Sequence, residues 1–389
     1  MTKKINYNYL FPVLMSFLAM SFCDLVGVGV DRLKDDPTIS DAMKGFIPLI
    51  PSAVFIWFLI LSIPIGIIQD RIGKRIMLNI GILITALGLL IPYFFAPFAA
   101  IIAGFGLLGI GNTIVQVSAN PLLVDVVPSN RTSSFLSFSQ FVKAVGSMVA
   151  APFAGWLAIQ YGDWKLMFLV FGIVSVITAL WLGMIKIEET RNVEKRATFS
   201  SSFMLLGVGS IALMVLGIFL VVGIDVGINA ASGQFFMNKY DLAKDSTFAQ
   251  SARSFYFFGK MVGTFFGALL LVKLASRSFL LWTSLASLLT IILLLFAPGQ
   301  NLGIVVMFLI GLTVANIFPL IFSITVEKYP NRANEISGLM ISAVFGGAVV
   351  PALILWLFDK VSFTSGMLVL VFSAVYLVGL AFANLKKTT

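Results

Sequence analysis

Apolar residues run through this chain in twelve blocks of at least 20, separated by short connections that hold most of its charges. The blocks cover residues 10–31, 46–68, 76–95, 99–126, 135–160, 165–185, 203–230, 248–273, 278–297, 302–326, 336–358 and 364–385. A helix needs about 20 apolar residues to cross the hydrocarbon core of a bilayer. The pattern therefore predicts an all-α membrane protein with twelve transmembrane helices. The longest connection, KIEETRNVEKRATFS at 186–200, predicts a cytoplasmic linker between an N-terminal six-helix half, 1–185, and a C-terminal six-helix half, 201–389.

Composition agrees with the pattern. Of 389 residues, 59% are hydrophobic and only 11% charged, where a soluble chain carries about 25% charged residues. The surface must face lipid. The chain has no His and one Cys, Cys23, which excludes His-based metal sites, Ser-His triads and an internal disulfide. No cofactor is expected. The net charge of +9 reflects topology rather than nucleic-acid binding. With both termini cytoplasmic, sixteen of the 26 Lys and Arg fall inside, seven fall outside, and Lys143, Arg253 and Lys260 stay within spans. That bias is the one that sets orientation. A multi-pass protein of a cell membrane follows, with the bacterial inner membrane as its expected location.

Several features recur about 200 residues apart, as a duplicated unit would leave them: Asp24 with Asp225, Gly66 with Gly267, Pro121 with Pro319, and Pro152 with Pro351. Two such halves are a common transporter design, with the site at mid-membrane between them. An intramembrane carboxylate costs roughly 2.5–3.5 kcal/mol even on lenient insertion scales, so Asp24 and Asp225 demand a reason. Further polar positions fall at helical spacing: Asn112, Gln116 and Asn120; Gln140, Lys143 and Ser147; Arg253, Tyr256, Lys260 and Thr264; Asp225 and Asn229; Asp24 and Asp31. Facing lipid they would be costly, so they are expected to line an interior path; polar contacts that glue helices together are the other reading.

The loop GIIQDRIGKR, Gly66–Arg75, resembles the G-x-x-x-D-R-x-G-R-R motif of the major facilitator superfamily. QVSANPLLVDVVP, SFSQFVKAVGS, FPLIFSITVEKYPNR and GGAVVP resemble, more narrowly, its fucose–galactose–glucose:proton symporter family. The resemblance covers nearly the whole chain and departs at Gln116, where the family carries Glu, and at Lys143, where it carries Asn. It implies sugar uptake driven by a proton, with an acidic residue of the first helix as carrier; Asp24 and Asp31 both fall near that place. It also implies sugar contacts from the fourth and fifth helices, which adjoin the first.

The expected function is a proton-coupled symporter importing a sugar or acidic sugar by alternating access, acting as a monomer. Asp24, Asp31, Asp225 and Lys143 are expected to handle the proton, with Lys143 as partner of Asp24 or as receptor for a sugar carboxylate. Asn112, Gln116, Asn120, Gln140, Lys143, Asn229, Arg253 and Tyr256 are expected to bind substrate. Gly66, Asp70, Arg71, Gly73 and Arg75 are expected to gate, with Lys260, and with Asp125 and Glu327 as latch charges near Arg131 and Arg332. Alternatives are an organic-anion carrier coupled to H⁺ or Na⁺, and a proton-exchanging drug exporter, which Lys143 and Arg253 disfavour. An enzyme is not expected: the chain has no soluble domain, nucleotide loop or metal cluster.

Overall fold

The structure, a computed structural model, describes residues 5–385 apart from 25, 27–28, 31–32, 34–38, 48–49, 96–97, 191–196 and 243–246. Every expected span contains helix. We label them α1 (Tyr7–Ser21), α2 (Ile50–Ile72), α3 (Lys74–Phe94), α4 (Phe98–Val126), α5 (Thr132–Tyr161) and α6 (Leu166–Met184). The later six are α7 (Gly209–Tyr240), α8 (Thr247–Leu270), α9 (Ser276–Phe296), α10a and α10b (Gln300–Val314, Ile317–Lys328), α11a and α11b (Ala333–Ser342, Gly346–Lys360) and α12 (Phe363–Leu385). Among the described residues, ten stretches are long and apolar enough to cross a membrane. The two helices that fall short are α1, with 15 residues, and α8, which carries Arg253 and Lys260. Asp24 follows directly on the end of α1.

The chain forms two compact units whose boundaries cut across the linear order. The first comprises Met1–Ser129, Val142–Met204 and Tyr329–Ser342; the second comprises Asn130–Phe141, Leu205–Lys328 and Ala343–Thr389. Thus α11a belongs with α1–α4, and the first turns of α5 belong with α7–α10.

In the first unit, α11a lies against α2 where both lack a side chain. A Cβ at Gly66 would fall 2.8 Å from the Asn334 carbonyl oxygen, and one at Gly338 would fall 2.9 Å from that of Ser62. In lipid, close backbone approach of this kind takes the place of hydrophobic driving force. Gly73 joins α2 to α3 with φ +104°, a conformation that L side chains avoid. Proline shapes the neighbouring α4. Pro121 has no N–H, so the Val117 carbonyl loses its helical donor; Ser337 of α11a supplies one at 2.7 Å, and Gln69 of α2 another at 3.4 Å.

In the second unit, Ser133 at the start of α5 bonds Ser276 and Ser323, each at 2.7 Å, and Ser134 donates to the Ala268 carbonyl at 2.6 Å. Asn316, at the break between α10a and α10b, donates to the Gly263 carbonyl at 2.7 Å.

Candidate functional site

The first polar cluster forms where α1 ends. At Phe22 the backbone N–H turns back to the Ala19 carbonyl, and Phe22–Asp24 tighten into a 3-10 turn. The side chain of Asn112 on α4 donates to the Met20 carbonyl at 2.8 Å, one of the groups a helix end leaves short of partners. Gln116 then donates to Asn112 Oδ1 at 3.0 Å, and Asn120 to the Gln116 carbonyl at 2.8 Å. The α4 stripe is therefore a relay of three buried amides. Asn120 Oδ1, in a residue only 1% exposed, has no donor among the described residues.

Asp24 is exposed, and its Oδ2 accepts from Ser147 Oγ at 2.5 Å. The expected Asp24–Lys143 ion pair is not formed: Lys143 is half-buried and makes no ion pair among the described residues. The helix register gives the reason. Gly146 of α5 packs directly on Ser21 of α1, which brings Ser147, one turn beyond Lys143, to the Asp24 carboxylate. Gln140 is half-buried on the part of α5 that belongs to the second unit. Asp31 lies outside the described residues.

The second cluster joins α7 and α8. Lys260 Nζ lies 2.5 Å from Asp225 Oδ2, and the Tyr256 hydroxyl donates to Asp225 Oδ1. Lys260, expected as a gating residue, is thus the ionic partner of Asp225. Tyr256 is wholly buried, whereas Arg253, one turn earlier, is exposed. Asn229 donates to the Asp225 carbonyl at 3.3 Å, and Thr264 bonds back to the Lys260 carbonyl at 2.9 Å.

A third cluster gathers around the α2–α3 loop. Asp70 accepts from Asn334 Nδ2 at 2.8 Å and from the Ala197 N–H at 3.0 Å. Arg75 reaches the carbonyls of Gly183 and Ile185, at 3.0 and 2.7 Å. Asp125 pairs with Lys74 at 2.6 Å, with side chains 6% and 3% exposed. Arg332 pairs with Glu335 at 2.9 Å, and Ser201 also donates to Glu335. Arg71, Arg131 and Glu327 are exposed. The Glu189 carboxylate accepts the N–H groups of Lys74 and Arg75 at 2.7 and 3.0 Å. It caps the positive end of α3, where a carboxylate is favoured.

Sequence reasoning passed over Lys74, Glu189, Ser201, Asn334, Glu335 and Ser337, and gave Ser147 no role of its own. One available signal was the second copy of the Asn130-Arg131 pair, Asn331-Arg332, which points to the Asn334-Glu335 turn that follows it.

A bundle of helices long enough to cross a membrane, with carboxylates Asp24 and Asp225 in or beside them and a charged α2–α3 loop, is the architecture of a polytopic membrane protein. The family model for the Major Facilitator Superfamily matches residues 12–350, and the chain belongs to that superfamily. It is 24% identical over 319 residues to a glucose/galactose transporter of Brucella abortus biovar 1 (strain 9-941), covering 78% of this chain and 76% of that one. It is also 24% identical over 312 residues to a putative glucose/galactose transporter of Helicobacter pylori (strain ATCC 700392 / 26695), covering 74% of each. A crystal structure of the E. coli fucose:proton symporter, FucP, superimposes with a TM-score of 0.83 at 17% identity, over 97% of this chain and 99% of that one. The protein is a multi-pass membrane transporter with the fold of this superfamily.

Proposed function

We propose that this transporter imports a sugar together with a proton, by alternating access. Asp24 carries the reading. It lies at the break of a membrane-level helix, is exposed, and is held by the Ser147 hydroxyl rather than by an ion pair. The similarity to glucose/galactose transporters, and the fold shared with a fucose:proton symporter, support sugar as cargo and H⁺ as coupling ion. Gln116 and Asn120 would supply hydrogen bonds to the sugar. Two duplicated six-helix halves, 1–185 and 201–389, would rock about it, with both termini in the cytoplasm of a bacterial cell and the chain working as a monomer. Cargo and proton can drive this motion only through different affinities for the two states.

In proteoliposomes, an inward pH gradient should accumulate labelled sugar. Asp24→Asn should abolish accumulation yet keep counterflow exchange within about twofold, because exchange needs no net proton movement. Accumulation surviving in Asp24→Asn would refute the assignment of Asp24. Drive by a Na⁺ gradient alone would replace the proton, and outward movement of cationic dyes would point to an exporter. A second reading, carriage of an organic anion, is favoured by Lys143, a half-buried ammonium with no ion pair among the described residues. Uptake of carboxylates at the expense of neutral sugars would select it.

A further inference from the structure

The Asp225 cluster has a composition that a merely static ion pair does not need. Asp225 lies in a helix long and apolar enough to cross a membrane and Lys260 in the helix packed on it, yet their side chains are 25% and 21% exposed rather than sealed in the packing. Both carboxylate oxygens already have donors, Tyr256 on Oδ1 and Lys260 on Oδ2. One turn along α7, Asn229 gives its amide N–H to the Asp225 carbonyl and keeps a buried Oδ1 with no donor among the described residues.

We infer that this pair is an exchange site for the carboxylate of an acidic sugar: the cargo anion replaces Asp225 on Lys260, and Asp225 takes a proton as it is displaced. The inference rests on the sugar-symport reading and names its cargo class. The charges balance. Before exchange the site holds one cation and one anion; afterwards it holds Lys260 with the cargo carboxylate, beside a neutral Asp225. Cargo and proton thus enter together, and the spanning helices carry no added net charge. A neutral sugar has nothing to put in place of Asp225, and an unpaired ammonium at this depth is disfavoured. Asn229 Oδ1 is left to accept from a sugar hydroxyl.

The titratable groups on the elements around Asp225 are few. Arg253, Tyr256 and Lys260 lie on α8. Asp359 and Lys360 close α11b and pair with each other at 2.8 Å. Tyr376 of α12 donates to the Leu213 carbonyl at 2.9 Å, and Glu327 and Lys328 end α10b. Tyr256 and Lys260 each bond a carboxylate oxygen of Asp225.

Calorimetry on the purified full-length protein in nanodiscs, with D-glucuronate and D-glucose in buffers of different ionisation enthalpy, tests the inference. Glucuronate should bind about tenfold tighter than glucose, as a charge-assisted pair allows, and should bring in about one proton more than glucose does. Lys260→Gln should remove the preference and Lys260→Arg should keep it, with thermal melting showing each variant folded. Asp225→Asn should bind glucuronate with about one proton fewer than the parent, the proton of Asp24 being common to both. The inference falls if glucuronate binds no better than glucose, or if Lys260→Gln leaves its binding intact. It falls equally if glucuronate brings in as many protons in Asp225→Asn as in the parent. These failures differ from failure of the symport reading: glucose driven by a pH gradient with no glucuronate binding sinks the inference alone. Glucuronate binding with proton uptake, but no pH-driven transport in vesicles, sinks symport instead.

Discussion

Replacing Lys74 by Met removes the cation from a pair whose side chains are 3% and 6% exposed, at 2.6 Å. With an effective dielectric of about 20, the direct attraction at that separation is on the order of 6 kcal/mol. Most of it only offsets the desolvation of the two groups, which costs several kcal/mol per ion. The single substitution leaves Asp125 buried; the Thr190 N–H at 3.3 Å still reaches it, and Met cannot replace the Lys74 contact to the Thr190 carbonyl at 3.3 Å. A buried pair broken from one side loses about 3–5 kcal/mol. Removing both charges, in Lys74→Met with Asp125→Leu, should recover most of that loss, because no uncompensated ion remains. Unfolding in mixed SDS–maltoside micelles, read by tryptophan fluorescence, gives the two single variants and the double for one thermodynamic cycle. The reasoning is refuted if Lys74→Met lies within about 1 kcal/mol of the parent, or if the double variant is less stable than either single one.

Other consequences follow from the same unit. Ser337→Ala should weaken the α11a–α4 contact by about 1 kcal/mol, since Gln69 still reaches the Val117 carbonyl; hydrogen exchange over 333–342 should rise. In a Pro121→Ala background, where the helix supplies its own N–H to Val117, Ser337→Ala should change exchange little, and an undiminished effect would count against the proline argument. Gly66→Val should separate α2 from α11a, because its Cβ would meet the Asn334 carbonyl oxygen at 2.8 Å; normal exchange protection of α11a in that variant would contradict the close packing.

The blocks of apolar residues were enough to place the ten membrane-crossing stretches among the described residues, because a bilayer imposes one length and one polarity on whatever crosses it. Spacing was also enough to mark Asp24, Asp225 and the amides of α4 as costly groups in need of partners. It could not say which partners. The Asp24–Lys143 pairing failed because Gly146 packs on Ser21 and slides the α5 register by one turn. Lys260 looked like a gate charge because one α8 residue in isolation does not reveal that α7 brings Asp225 to it. Glu189 was read only as part of a charged linker, yet it caps α3. The sequence by itself determined a lipid-spanning helical bundle with charged groups at membrane depth, since burial cost depends on residue type and helical position alone. Which charge meets which was decided by tertiary structure, since a contact of 2.5–3.0 Å depends on helix register and on backbones drawn together at glycine, to a fraction of one turn.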